Sequence, residues 1–217
     1  LLLEARKLAP RLPTVHMLFG TAAAYCGELE EALGHLDAAQ EVDPLFPAIR
    51  ANRGVAYYFA GEFDEANRVF LDLLTEYPQR TATRISLASS LTMCGAYEAA
   101  RNELNAVIEH DPEEASARLA LAILTARDGD KRQAKKIANA VRSSSDIERT
   151  NPSALAGVYA QLGETQESMK WLTLAAESHE GGFAEVQVDP LLAPLVGVEA
   201  FHALLARYGL TARQNRP

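Results

Sequence analysis

The chain has 217 residues, 48% of them hydrophobic and only 7% aromatic, with 21 Lys and Arg against 29 Asp and Glu and a formal charge of −8. The length admits one large domain or an extended array. The acidic balance excludes this segment as a main nucleic-acid contact, which needs a concentrated basic face, and the lack of any 18-residue apolar run excludes a helical membrane span.

The organising signal is a period of 34 residues. Gly27, Gly61, Gly95, Gly129 and Gly163 share one phase. Five positions after each Gly come Ala32, Ala66, Ala100, Ala134 and Ser168, and four further on Leu36, Phe70, Leu104, Ala138 and Leu172. Ala39, Leu73, Val107, Val141 and Ala175 follow, and Pro44, Pro78 and Pro112 close the first three units. Seven positions before each Gly stand Gly20, Gly54, Ala88, Ala122 and Ala156. The phased Gly predicts the end of a first helix in a left-handed conformation. The small residues on either side let two helices cross closely, the larger ones fill the layer between pairs, and Pro stops the second helix. Such a unit cannot bury its apolar face alone and must stack.

In chain order, residues 1–12 hold Leu2, Ala5 and Pro10, 34 before Leu36, Ala39 and Pro44. They are expected to be the second helix of an earlier, truncated repeat, and the chain a piece of a longer protein. Repeats then run over Pro13 to Phe46, Pro47 to Arg80, Thr81 to Glu114, Ala115 to Glu148, and residues 149–180. The fourth lacks its closing Pro and has Ser143, Ser144 and Ser145 there, while Asn151-Pro152 predicts a late N-cap for the fifth. Residues 181–217 leave the period: Gly181-Gly182 breaks it and Val198 to Tyr208 predicts a short amphipathic helix closing the apolar end. The fold expected is all-α: a right-handed α-solenoid of helix-turn-helix repeats with a non-repeat C-terminal helical cap.

These residues strongly resemble the tetratricopeptide repeat (TPR) family, although the position where that family often has Trp holds His16, Arg50, Arg84 and Arg118, and the next Leu-type position holds Arg53. A second resemblance lies in Tyr159, Leu162-Gly163, Trp171-Leu172, Asp189-Pro190-Leu191-Leu192, Pro194-Leu195, Phe201, Leu204-Leu205 and Gly209-Leu210. This composite is similar to the C-terminal repeat arm of bacterial winged-helix transcriptional regulators, though of the family's Asp-Pro-Arg-Phe run only Phe201 matches. The resemblance implies a cytoplasmic protein- or peptide-binding arm of a regulator. The alternatives are a free-standing scaffold or chaperone for a secretion or assembly system, and a regulatory domain attached to a kinase or cyclase.

No catalytic, cofactor-binding or metal-ligating set is expected. His16, His35, His110, His179 and His202 lack a second His or Cys at ligand spacing, and phosphate-loop and nucleophile-elbow motifs are missing. Cys26 and Cys94 lie two repeats apart, about 20 Å in a stack, beyond the roughly 7 Å that a disulfide spans. Free packing thiols and a reducing compartment are expected. Lys131, Arg132, Lys135 and Lys136 predict a solvated face. Arg50, Arg84 and Arg118 predict a ladder whose heads pair with acids such as Asp43 or Asp111, the alternative being a docking strip for an anionic ligand.

The TPR resemblance puts the first helices on a concave face. The partner-binding groove predicted there comprises Met17, Tyr25, Val55, Tyr58, Phe59, Ile85, Met93, Leu119, Ile123 and Arg127, with Thr21, Ala51 and Ser89 between them. Tyr25, Phe59, Met93 and Arg127 fall on successive rungs, a row suited to an amphipathic peptide with an acidic end. The carboxylate clamp of co-chaperone members is absent: its first-repeat positions hold Met17 and Thr21, its third-repeat positions Ala82 and Ser86, and only Asn52 matches. The groove's occupant is expected to be a partner protein or peptide, another segment of this chain, or a twin subunit in a homodimer.

Overall fold

The computed structural model describes residues 12–144, 151–178 and 183–213, with Glu4, Lys7 and Ala9 of the leading segment. The second helix expected over residues 1–12 lies largely outside the described residues. Among those described there is no strand. Five helix pairs follow one another: α1 Pro13–Tyr25 with α2 Leu29–Val42, α3 Pro47–Ala60 with α4 Phe63–Glu76, and α5 Thr81–Met93 with α6 Tyr97–His110. Then come α7 Ala115–Arg127 with α8 Lys131–Ser144, and α9 Pro152–Leu162 with α10 Thr165–Glu177. Two 3-10 helices, Phe183–Gln187 and Pro190–Leu195, lead into α11 Glu199–Arg207.

The phased glycines do what the period predicts. Gly27, Gly61, Gly95, Gly129 and Gly163 all have positive φ, between 71° and 105°. After each, the next N–H returns to a carbonyl five residues earlier: Glu28 to Ala23 at 3.0 Å, Glu62 to Tyr57 at 2.9 Å, Ala96 to Leu91 at 2.9 Å, Asp130 to Thr125 at 3.0 Å and Glu164 to Tyr159 at 2.9 Å. One bond thus closes all five turns and satisfies a carbonyl the helix end would leave bare. Asn151 caps α9 by accepting the Ala154 N–H at 3.1 Å, with Pro152 at the first helical position, so the fifth pair starts late for the reason expected.

Packing follows the same phase. Ala32, Ala66, Ala100, Ala134 and Ser168 are fully buried, and Ser168 meets the cost of its hydroxyl by donating to Ala156 O at 2.7 Å. A Cβ on Gly20 would lie 2.8 Å from Leu36 Cγ, and one on Gly54 would overlap the Phe70 ring, so the first two pairs cross at a contact that admits no side chain, where the other three carry only the methyl of Ala88, Ala122 or Ala156. Second helices pack on the next first helix, and α1 on α3, α5 on α7 and α7 on α9, giving a continuous inner surface of first helices.

Several side-chain expectations change. Cys26 and Cys94 are free but exposed at helix ends rather than packed, because the turn Gly beside each carries the chain to the surface. Arg50 pairs with Glu76 at 2.7 Å and Arg84 with Glu103, acids on the second helices rather than Asp43 or Asp111. Arg118 does reach back toward its own turn, to Glu113 at 3.5 Å. Arg53, at a position usually apolar, pairs with Asp37. In the exposed basic face of α8, Lys135 binds Glu164 at 2.7 Å and Lys131 reaches Leu162 O at 3.3 Å, tying the fourth pair to the fifth.

The C-terminal segment does more than close the end. Phe201, Leu204 and Leu205 of α11 bury against the cluster containing Trp171, Leu172 and Ala175, as a cap should. The first 3-10 helix instead packs on α1 of the first repeat, and the second returns to pack on α9. Val188 lies against Gly27, and Arg213 pairs with Glu28 at 2.6 Å.

Candidate functional site: a roofed concave groove

The strap from Phe183 to Leu195 is held by its apolar side and by its acids. Phe183, Val186, Val188, Leu192 and Leu195 are buried. Asp189 caps the second 3-10 helix by accepting the Leu191 N–H at 2.9 Å, which turns its carboxylate toward α3. There it accepts a hydrogen bond from Tyr58, while Glu185 accepts one from Tyr25 on α1. Gln161 of α9 links the far wall, donating to Leu191 O at 2.6 Å and accepting from Arg127 Nη1 at 3.0 Å.

Enclosure sets the acid–base character. Burial pushes the Asp189 carboxyl up to about 6, against the lowering pull of the Leu191 N–H and the Tyr58 hydroxyl. Tyr25 is pushed up to about 12 by burial and by Glu185 beside it. Tyr58 is raised well above its ordinary value by burial, Asp189 and Glu185, with Arg127 acting in the opposite sense. Both tyrosines therefore stay protonated and donate.

Two cavities flank the strap. One, about 420 Å³, lies between it and the first helices, lined by Tyr25, Val55, Tyr58, Phe59, Ile85, Leu119 and Ile123 together with Ser86, Ser89, Glu185 and Asp189. The other, about 460 Å³, opens on its opposite side beside Phe63, Met93, Val188 and Phe201. Asp189 borders both.

The tetratricopeptide repeat family model matches residues 17–81. A thermophilic TPR protein of Thermus thermophilus superposes with a TM-score of 0.62 at 18% identity, covering 83% of this chain and 98% of its own. A tetratricopeptide repeat protein of Parabacteroides merdae gives 0.59 at 19%, covering 94% and 88%. The fold is a TPR solenoid. A MamA protein also matches, at 0.50 and 18%, over 78% of this chain and 93% of its own. No curated protein matches the sequence.

Within this TPR solenoid, the predicted groove residues divide. Tyr25, Val55, Tyr58, Phe59, Ile85, Leu119 and Ile123 meet at one cavity, and the Tyr25 and Phe59 rings touch edge to face with centroids 5.6 Å apart. Phe59, Leu119 and Ile123 form its buried floor. Met93 faces the other cavity, and Met17 and Arg127 border neither. Part of the space expected for a partner is taken by the chain's own apolar and acidic segment, Asp189-Pro190-Leu191-Leu192. Glu185, Asp189 and Gln161 were not foreseen as site residues, since no period connects them to the first repeats. The Asp-Pro-Leu-Leu run was the one available signal, and it pointed to a cap. Asn52 holds the Thr21 hydroxyl at 2.9 Å and donates to Ala48 O at 2.8 Å, so its amide joins neighbouring first helices.

Proposed function

We propose that this chain is a non-catalytic binding scaffold whose concave groove receives an extended segment of a partner protein beneath the strap. The observation that carries this reading is the cavity of about 420 Å³ between the first helices and the strap, the size of a small-ligand site rather than of a packing fault. An extended segment, slimmer than a helix of about 10–12 Å across, suits a groove already partly filled by the strap.

The test uses the full chain as bait for a displayed random-peptide library, followed by titration of the selected peptides. Ile85→Trp, which fills the groove from its wall, should abolish binding. Tyr25→Ala should cost about 1–3 kcal/mol of affinity, with melting curves as controls. Selected peptides that bind Ile85→Trp unchanged would move the site off the concave face.

The same reading extends to the arm of a bacterial transcriptional regulator. Its support is the C-terminal composite from Tyr159 to Leu210. The reading frame upstream of Leu1 decides it: a winged-helix pattern of about a domain's length is expected, and a start codon immediately before Leu1 would overturn it. A homodimer joined through the groove is the competing occupant, and analytical ultracentrifugation of the full chain, with and without Ile85→Trp, separates it from a peptide partner.

A further inference from the structure

The strap changes the chemistry of the groove it covers. Of the described residues around the cavity, Glu185 and Asp189 are acidic and none is Lys, Arg or His. Arg127 is the nearby cation whose charge reaches Tyr58, but it stands behind Gln161, to which its Nη1 donates at 3.0 Å, and does not border the cavity.

The hydroxyl groups point the same way. Ser86 Oγ donates to Ala82 O and Ser89 Oγ to Ile85 O, each at 3.0 Å along α5. Tyr25 donates to Glu185 and Tyr58 to Asp189. These four protons are committed to protein acceptors, so their oxygens offer lone pairs to a guest, while Ser116, Ser153, Asn52 and Asn151 on the same lining add hydroxyl and amide groups that can also donate. A guest rich in acceptors would leave them facing its own lone pairs, at the cost of unmade hydrogen bonds on both sides. A guest rich in donors meets them.

The aromatic lining adds a third element. Tyr25, Tyr58 and Phe59 form an edge-to-face cluster, with centroids 5.6 Å apart for Tyr25 and Phe59 and 5.4 Å for Tyr58 and Phe59, and all three border the cavity. Electron-rich ring faces attract a cation that has left most of its water behind.

We propose that the roofed groove takes the ammonium or guanidinium head of a Lys or Arg side chain carried on an extended peptide, a proposal that rests on the concave face being the binding site. The head lies between the Glu185 and Asp189 carboxylates of the strap and the Ser86 and Ser89 oxygens of α5, and its methylene stem lies along Val55, Ile85 and the rings. The strap thus supplies the specificity that the repeats supply shape for. This ligand is opposite in charge to the acidic-ended peptide expected from the row of first helices alone.

The probes are labelled five-residue peptides of Gly and Ser with one central Lys, its acetyl-lysine counterpart and its Glu counterpart, titrated into the full chain by fluorescence anisotropy. The Lys peptide should bind at least tenfold more tightly than either counterpart and weaken as salt rises. Glu185→Gln and Asp189→Asn, which keep shape and acceptor, should each weaken it by about tenfold, a change of roughly 1.4 kcal/mol, with melting curves showing a folded chain. Equal binding of the Lys and acetyl-lysine peptides, lost in Ile85→Trp, would overturn the cationic proposal and leave the groove reading standing. Lys-peptide binding unchanged by Ile85→Trp would overturn both. If cadaverine binds as tightly as the Lys peptide, the groove is a small-amine site and the peptide assignment fails. If none of the probes binds, the cationic proposal fails, and the displayed-library titration decides the groove by itself.

Discussion

The helix pairs from Pro13 to Glu177 and the strap, taken together with the α11 cap as Phe183 to Arg213, both bury apolar side chains, but they reach burial by different rules. In the pairs, the central core positions such as Ala32, Leu36 and Ala39 recur every 34 residues, and their contacts are with neighbouring helices. The Gly54–Phe70 crossing joins residues 16 apart in one pair. In the strap no position recurs, and the contacts are remote: Arg213 meets Glu28 across a sequence separation of 185. Local, repeated contacts make a stack whose units fold on their neighbours. The strap joins the last pair to the first, so it couples the two ends of an array that would otherwise be only a sum of neighbours. Carboxylates on the strap meet tyrosines on the array, and the candidate site lies where the two rules meet.

The comparison is broken most severely by removing the strap. Ending the chain at Ser178 discards Phe183, Val186, Val188, Leu192, Leu195, Phe201 and Leu205, all buried. At about 1.5–3 kcal/mol for each, the lost burial is roughly 10–20 kcal/mol before the entropy of the released segment is set against it. Urea denaturation should show a loss of several kcal/mol, and light scattering should show aggregation through the uncovered Trp171 and Leu172 layer. A truncated chain with unchanged melting and monodispersity would make the strap an ornament.

A smaller effect tests the rule inside the pairs. Gly54→Ala would force a methyl group into the Phe70 ring and should cost about 1–3 kcal/mol. Gly61→Ala acts on the turn, where φ is 81°, and should cost roughly 1–2 kcal/mol. Gly34→Ala is the contrast. That glycine lies inside α2, outside the phased set, and a Cβ there meets nothing within 4 Å, so the change should stabilise by roughly 0.5–1 kcal/mol. Thermal melts of the three variants rank them. Equal destabilisation by all three would show that phase has no bearing on cost.

The strap–array contact can be titrated. Asp189 has a folded value near 6 against an ordinary 3.8, raised by burial. The folded state therefore holds a proton that the unfolded chain releases between those values. The stabilising contribution is complete below about pH 3.8 and disappears as pH rises through about 6. Tyr58, Glu185, Arg127 and the Leu191 N–H face this carboxyl or act on its tyrosine partner, and the tyrosines remain protonated throughout that window. Between pH 4 and pH 7 the natural chain should lose on the order of 2 kcal/mol relative to Asp189→Asn. Parallel pH profiles for the two chains would show that the carboxyl is solvated and the roof open.

Most of the solenoid was legible in the sequence because a stacked repeat writes its contacts at fixed spacing. The five glycines named the turns, Ala32 and its equivalents named the crossings, and Asn151-Pro152 named the late start of α9. The helix Val198 to Tyr208 was legible from its own amphipathic pattern and from Gly181-Gly182 before it. The partners of Arg50 and Arg84 were not, because an arginine head reaches several acids and the choice depends on the rise between layers. The exposed Cys26 and Cys94 were misread as packed because their phase placed them beside the turn but not on one side of it.

Period and helical spacing, read with the TPR resemblance, gathered Tyr25, Tyr58, Phe59 and Ile85 on one inner face, although the same reading placed Met17, Met93 and Arg127 at a cavity they do not border. Only the tertiary structure decided what covers that face. Glu185 and Asp189 belong to a segment without period, and its course depends on burying Val186, Val188 and Leu192 against surfaces that exist only after the pairs have stacked. An apolar row thereby became a roofed groove with two carboxylates, because long-range burial placed the charge and no local pattern records it.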